Sequence, residues 1–105
     1  MKPLLIAWTT TPDASTASEL ARGLIEADLV VCAQVSGPIQ SHYKWQGKYE
    51  CSEEYRLTLK FLQSKCDAVE KWILKHHPYE VPQWIGIEAG FGSDAYLAWT
   101  SESLE

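Results

Sequence analysis

The segment "SHYKWQGKYE", residues 41–50, predicts a tight β-hairpin around which the rest of the chain can be arranged. Gln46-Gly47 stands between two strand-like segments, and glycine supplies the positive φ that a two-residue hairpin turn needs. The return strand, at about 48–62, alternates apolar and polar side chains towards its end. Gly37-Pro38 interrupts the entering strand, where we expect a bulge or a bend.

A hairpin of this length overhangs a domain of 105 residues, so something must cover it. The chain also holds five Trp and five Tyr, more than a small core needs. Amphipathic rings are favoured at interfaces, and a neighbouring subunit is the simplest cover for an overhanging strand pair. The sequence therefore predicts an oligomer with Tyr43 and Trp45 in its interface.

The segments on either side of the hairpin complete the order βαββαβ. The predicted elements are a strand at 4–9, a helix at 13–27 capped by Thr11 or Asp13, the two hairpin strands, a helix capped by Ser64 and Asp67 that ends near His77, a strand at 84–89 and a short helical turn from Asp94. With both crossover helices on one face, this is an α+β fold, a ferredoxin-like βαββαβ sandwich with a long central hairpin and a short C-terminal helix. We expect a single domain, 1–105.

Composition limits the partners of the chain. Its net charge of −5 argues against nucleic acid, because phosphate binding needs clustered Lys and Arg. No stretch approaches the ~20 apolar residues of a membrane span. The first residues lack the small-residue cleavage site of a signal peptide, so we expect a cytoplasmic protein with no membrane partner.

The three cysteines Cys32, Cys51 and Cys66 form an odd set without CxxC spacing. This argues against a zinc ribbon and against a disulfide framework. We expect all three thiols to be buried small side chains. Cys51 lies beside Glu50 and Glu53, which disfavour its thiolate, so no catalytic Cys–His pair is predicted.

The stretch "KHHPYEVPQW", residues 75–84, supports two hypotheses about its histidines. Neutral imidazole binds copper, zinc or nickel, so His76 and His77 are candidate metal ligands. The alternative places both at the end of a helix, where positive side chains interact favourably with the last carbonyls. His76 also continues an apolar stripe and is expected to be partly buried.

The prolines of the same stretch favour a structural role that needs no metal. We predict that Pro78 and Pro82 stiffen the exit from the helix and that Tyr79 packs between them. Both hypotheses can hold together, with copper binding that is weak and is lost as the imidazoles are protonated below pH ~6.

Five motifs occur in one order along the chain: "TTTPDAST" after the first strand, Cys32 in the second, "SHYKWQGKYE", "HHPYEVPQ" and "AYLAW". Together they resemble the CutA divalent-ion tolerance family over essentially the whole chain. The resemblance implies a soluble homotrimer that is linked to tolerance of copper and other divalent metal ions. It implies neither catalysis nor a required cofactor.

Three departures from the family pattern bear on copper. Thr9 stands where copper-binding relatives can carry a cysteine, Gln83 stands where they usually have glutamate, and their Pro-Gly pair before the hairpin is reversed as Gly37-Pro38. The first two departures remove a thiolate and a carboxylate. The implied copper site at His76 and His77 is therefore weak.

One other class of function remains as an alternative, and two more are disfavoured by the residues. Such trimers resemble PII signalling proteins, which suggests a small ligand in intersubunit clefts lined by Thr9–Thr11, Lys60 and Tyr79. An acyl phosphatase of this fold would need an arginine and free amides after the first strand, but the loop "TTTPDAS" has no cation. We therefore expect no enzyme. Residues 54–62 also lack the aromatic signature of RNA-binding proteins with this fold, so we expect no RNA-binding protein.

Overall fold

The computed structural model describes residues 3–103. The elements are β1 (Leu4–Thr11), α1 (Ala14–Glu26), β2 (Cys32–Trp45), β3 (Lys48–Leu62), α2 (Cys66–His76), β4 (Ile85–Glu88) and α3 (Asp94–Glu102). The strands form one antiparallel sheet in the order β2-β3-β1-β4. The predicted α+β, ferredoxin-like fold is confirmed.

The two long helices begin in different ways. Asp13 caps α1, as predicted, and its carboxylate accepts a hydrogen bond from the Thr16 amide at 2.7 Å. This bond lowers the pKa of Asp13. The predicted capping role of Ser64 is wrong, because Ser64 lies in a 3₁₀ turn before α2 and the N-cap is Lys65, without a side-chain cap.

Both helices pack on one face of the sheet and enclose the core. Its buried members are Ala7 on β1, Leu20 and Leu24 on α1, Val30 just before β2, Leu57, Leu59 and Phe61 on β3, and Val69 and Ile73 on α2. Burying one large aliphatic or aromatic side chain stabilises the folded state by roughly 1.5–3 kcal/mol relative to leaving it exposed. The helices approach closely where Trp72 lies over Gly23, since a Cβ atom there would be 2.5 Å from the ring.

The opposite face of the sheet, here called the open face, carries apolar side chains that are only partly covered. The register pairs Ile6 with Ile87 and Trp8 with Ile85, which places all four on this face. Ile85 and Ile87 are 60% and 57% exposed. Helix α3 covers one end of the open face. The ammonium group of Lys60 lies there, 5.7 Å from the centre of the Tyr96 ring.

The hairpin has the turn and the bulge that the sequence predicted. Gln46 and Gly47 have φ values of 52° and 80°, the left-handed pair of a two-residue turn. The register of β2 against β3 shifts between Ser36 and Ile39, where β2 holds one extra residue. The extra residue reverses the alternation of β2, so that Tyr43 and Trp45 face the same side as the open face.

Beyond β1 the hairpin continues as a two-stranded segment, here called the ribbon, which comprises 39–45 of β2 and 48–54 of β3. The described chain is 45 Å long but only 26 and 22 Å across. Its radius of gyration is 14.5 Å. A compact domain of about 100 residues normally has a radius of gyration of ~13 Å. The larger value here reflects the projecting ribbon.

Candidate functional site

An open cleft of about 790 Å³ lies between the ribbon and the segment that follows α2. The ribbon and the adjoining part of β3 contribute Tyr43, Trp45, Glu50, Glu54 and Arg56, and the segment contributes Pro78, Tyr79, Glu80, Val81 and Gln83. We call it the hairpin cleft. Its volume is in the range of small-molecule sites, about 300–1,000 Å³. It contains the side chains that the sequence assigned to an interface.

A hydrogen bond from Tyr79 to Glu54 ties the segment to β3. The Tyr79 hydroxyl donates to the buried Glu54 carboxylate at 2.8 Å. Burial, followed by this bond, raises the pKa of Tyr79, so the hydroxyl keeps its proton. The Tyr79 ring also lies against the His77 ring, with centroids 5.0 Å apart. The packing of Tyr79 between the two prolines stays a prediction.

His77 links α2 to β1 through both of its ring nitrogens. Helix α2 ends at His76, and His77 is already extended, as predicted from Pro78. The backbone amide of Tyr79 donates to Nδ1 at 3.1 Å, so the ring hydrogen is on Nε2, which donates to the Thr10 carbonyl at 2.9 Å. Burial lowers the pKa of His77, although the Thr10 carbonyl and Glu54 favour its charged form. The ring is therefore a neutral structural contact.

His76 lies in a different environment from His77. It is exposed, its Nδ1 donates to the Trp72 carbonyl at 2.8 Å, and its ring stacks on Trp72 with centroids 3.9 Å apart. The expectation that His76 would be the partly buried member of the pair is therefore wrong. The pair is split between two elements, so it does not form a chelating pair, and a metal ion at His76 would have to bind Nε2.

Other candidate metal and ligand residues are also separated. No group of three His, Cys, Asp or Glu side chains within residues 3–103 is arranged to hold a metal ion. Thr9 is fully buried, and its hydroxyl makes no hydrogen bond within that part of the chain. Of the ligand-binding set proposed from the sequence, Thr10 and Tyr79 line the hairpin cleft, whereas Lys60 lies beneath α3.

The cysteines form no disulfide, and Cys51 is exposed on the ribbon. The expectation of a buried Cys51 is wrong, because the ribbon extends beyond the core. Sequence reasoning also missed a contact: Cys51 Sγ lies 3.8 Å from His42 Nε2, and His42 Nδ1 lies 2.5 Å from the Tyr49 hydroxyl. The available signal was the turn, because His42 and Cys51 are equally distant from Gln46-Gly47 and pair across the hairpin.

Both the sequence and the fold of this chain match known proteins. The family model described as "CutA1 divalent ion tolerance protein" matches residues 5–103. The chain belongs to this family. A solved member, the "Periplasmic divalent cation tolerance protein CutA" from Archaeoglobus fulgidus, has a TM-score of 0.92 at 27% identity and covers 97% of this chain and 99% of its own.

Two curated CutA relatives are longer than this chain. "Protein CutA homolog" from Xenopus laevis is 36% identical over 99 residues, which are 94% of this chain and 66% of that protein. "Protein CutA, chloroplastic" from Arabidopsis thaliana is 30% identical over 101 residues, which are 96% of this chain and 56% of that protein. The chain thus spans just under two thirds and just over half of their lengths. Within residues 3–103, no helix has the length and apolar character needed to cross a membrane.

Proposed function

We propose that this CutA family member acts as a homotrimer in the tolerance of, or response to, divalent metal ions. The observation that carries the proposal is the family match, which extends over residues 5–103. The net charge of −5 is compatible with cations as ligands. The proposed role is a binding and regulatory one, without catalysis and without a required cofactor.

Exposed apolar side chains support the assembly. Tyr43 and Trp45 of the ribbon are 43% and 44% exposed, and they face the same side as Ile85 and Ile87 of the open face. An apolar surface of this kind is typical of an interface. Self-association through the open face would bury these side chains and cover the ribbon edge. The number of three subunits comes from the family resemblance.

For the metal, we propose weak copper binding at the end of α2 through Nε2 of His76. The bond from Nδ1 to the Trp72 carbonyl fixes the tautomer that leaves a lone pair on Nε2. Water or another subunit would supply the remaining ligands. His77 has no free ring nitrogen and keeps its structural role.

We also propose a cytoplasmic location for this chain. Its three thiols are all free, which is usual in reducing compartments. Fractionation of cells that express the chain would test the location. Recovery in a membrane or secreted fraction would contradict it.

Light scattering and a growth assay test the main proposal. We expect a particle of about three times 11.9 kDa. The double variant Tyr43→Ala/Trp45→Ala should dissociate, whereas Tyr49→Ala, which removes an exposed ring from the other face of the ribbon, should stay assembled. The chain should restore growth in excess Cu²⁺ to bacteria that lack their own family member. A stable monomer at micromolar concentration, or no restored growth, would contradict the proposal.

The hairpin cleft favours a second candidate, a PII-like regulator that binds a small ligand between subunits. Arg56 and Tyr79 lie in the cleft together with the carboxylates of Glu50, Glu54 and Glu80. Calorimetric titration with nucleotides and small anions would test it. Binding that is lost in Arg56→Ala would support it, and no heat of binding from any of these compounds would argue against it.

A further inference from the structure

We propose that His42 and Cys51 bind a Cu(I) ion on the ribbon, with Tyr49 as the residue that positions the imidazole. This site goes beyond the proposed function, because it uses neither His76 nor the proposed assembly residues Tyr43 and Trp45. The three side chains lie on the face of the ribbon opposite Tyr43 and Trp45.

The distance between the two ligand atoms suits a single metal ion. Cys51 Sγ and His42 Nε2 are 3.8 Å apart. With metal–sulfur and metal–nitrogen bonds of ~2.3 and ~2.0 Å, this separation corresponds to an N–metal–S angle of about 120°. His42 and Cys51 are direct cross-strand partners, so the hairpin register holds the two ligands at this distance. The site therefore needs no rearrangement of the backbone.

Tyr49 supplies the outer contact that metal-binding histidines usually have. Binding through Nε2 requires the tautomer with the hydrogen on Nδ1, and the Tyr49 hydroxyl lies 2.5 Å from Nδ1, where it can accept that hydrogen. The two rings are also stacked, with centroids 5.9 Å apart. Tyr49 thus fixes both the tautomer and the orientation of the His42 ring.

The donor set favours Cu(I) over harder or more highly coordinated ions. A thiolate and an imidazole are soft or borderline ligands, which select Cu(I) or zinc over magnesium and calcium. Structural zinc almost always takes four protein ligands, whereas this site offers two, which suits the low coordination number of Cu(I). Binding releases the Cys51 thiol proton to solvent, transfers no electron, and leaves a third position for water or a small thiol.

Anaerobic competition of the full-length protein against a chromophoric Cu(I) chelator tests the site. We expect one Cu(I) per chain, with affinity reduced at least 100-fold in Cys51→Ser and in His42→Asn. Tyr49→Phe should reduce affinity about 10- to 100-fold, the usual effect of losing such an outer contact. Zn²⁺ should bind at least 100-fold more weakly than Cu(I).

A matched control separates this site from the other thiols. Cys32→Ser, at a half-buried thiol, should leave Cu(I) affinity within twofold of the parent. All substituted side chains of the site are exposed, and circular dichroism would confirm that the variants fold. Absence of Cu(I) binding by the parent, unchanged affinity in Cys51→Ser or His42→Asn, or tighter binding of Zn²⁺ would each overturn the proposal.

Discussion

At the scale of single residues, His77 gives the stability of the protein a dependence on pH. Its folded pKa lies below the ordinary 6.5, chiefly because burial disfavours the imidazolium ion. Above pH ~6.5 the ring is neutral in both the folded and the unfolded chain and contributes no dependence. Below that pH the unfolded chain takes up a proton that the folded ring resists, so the free energy of unfolding falls as the pH falls.

We therefore expect the free energy of unfolding of His77→Gln to fall less than that of the parent between pH 7.5 and pH 5.5. The glutamine amide can still donate to the Thr10 carbonyl, but it does not titrate. At pH 7.5 the free energy of unfolding of the variant should be about 1 kcal/mol lower than that of the parent, because the Tyr79 amide loses its acceptor, the Nδ1 atom of His77. Urea unfolding at both pH values measures this. His76→Gln, at the exposed neighbour, is the control and should keep the parental slope; an unchanged slope in His77→Gln would contradict the assignment.

At the scale of elements, the hairpin depends on one backbone conformation. Gly47 has a φ of 80°, and a Cβ atom added there would meet no atom within 4 Å. The cost of a side chain at Gly47 is therefore purely conformational. We predict that Gly47→Ala lowers the free energy of unfolding by about 1–2 kcal/mol, which is the cost of the left-handed conformation for alanine.

Gly90→Ala is the matched control for this prediction. Gly90 also has open space around the added methyl group, but it does not have a positive φ. Denaturant unfolding of both variants at one protein concentration makes the comparison. Equal effects of the two substitutions would show that the turn conformation does not limit stability.

At the scale of the whole molecule, assembly and stability are expected to be linked. If the open face and the ribbon are buried between subunits, the folded state is a trimer, whereas the unfolded state is three separate chains. The melting temperature should then rise by roughly 3–6 °C for each tenfold increase in protein concentration. Reversible calorimetric scans over a hundredfold range would measure it. A reversible transition that does not move with concentration would argue for self-sufficient subunits.

Much of this protein can be predicted from its sequence, because the signals are local. Alternating and helical apolar patterns determined the order of strands and helices, Gly47 determined the turn, and Pro78 determined the end of α2. The motifs in their order also gave the family. Each of these depends on the conformational preferences of neighbouring residues, which a sequence displays directly.

Other features of the protein depend on contacts between residues that are far apart in the sequence, and these are visible only in the folded structure. The bulge at 36–39 changes which side chains of β2 share a face, and the overhang leaves Cys51 beside His42 in solvent rather than in the core. His77 meets Thr10, 67 positions earlier in the chain, and this contact makes it the buried histidine of the pair. Register and strand order set such contacts, and a one-residue change of register would place each side chain on the opposite face.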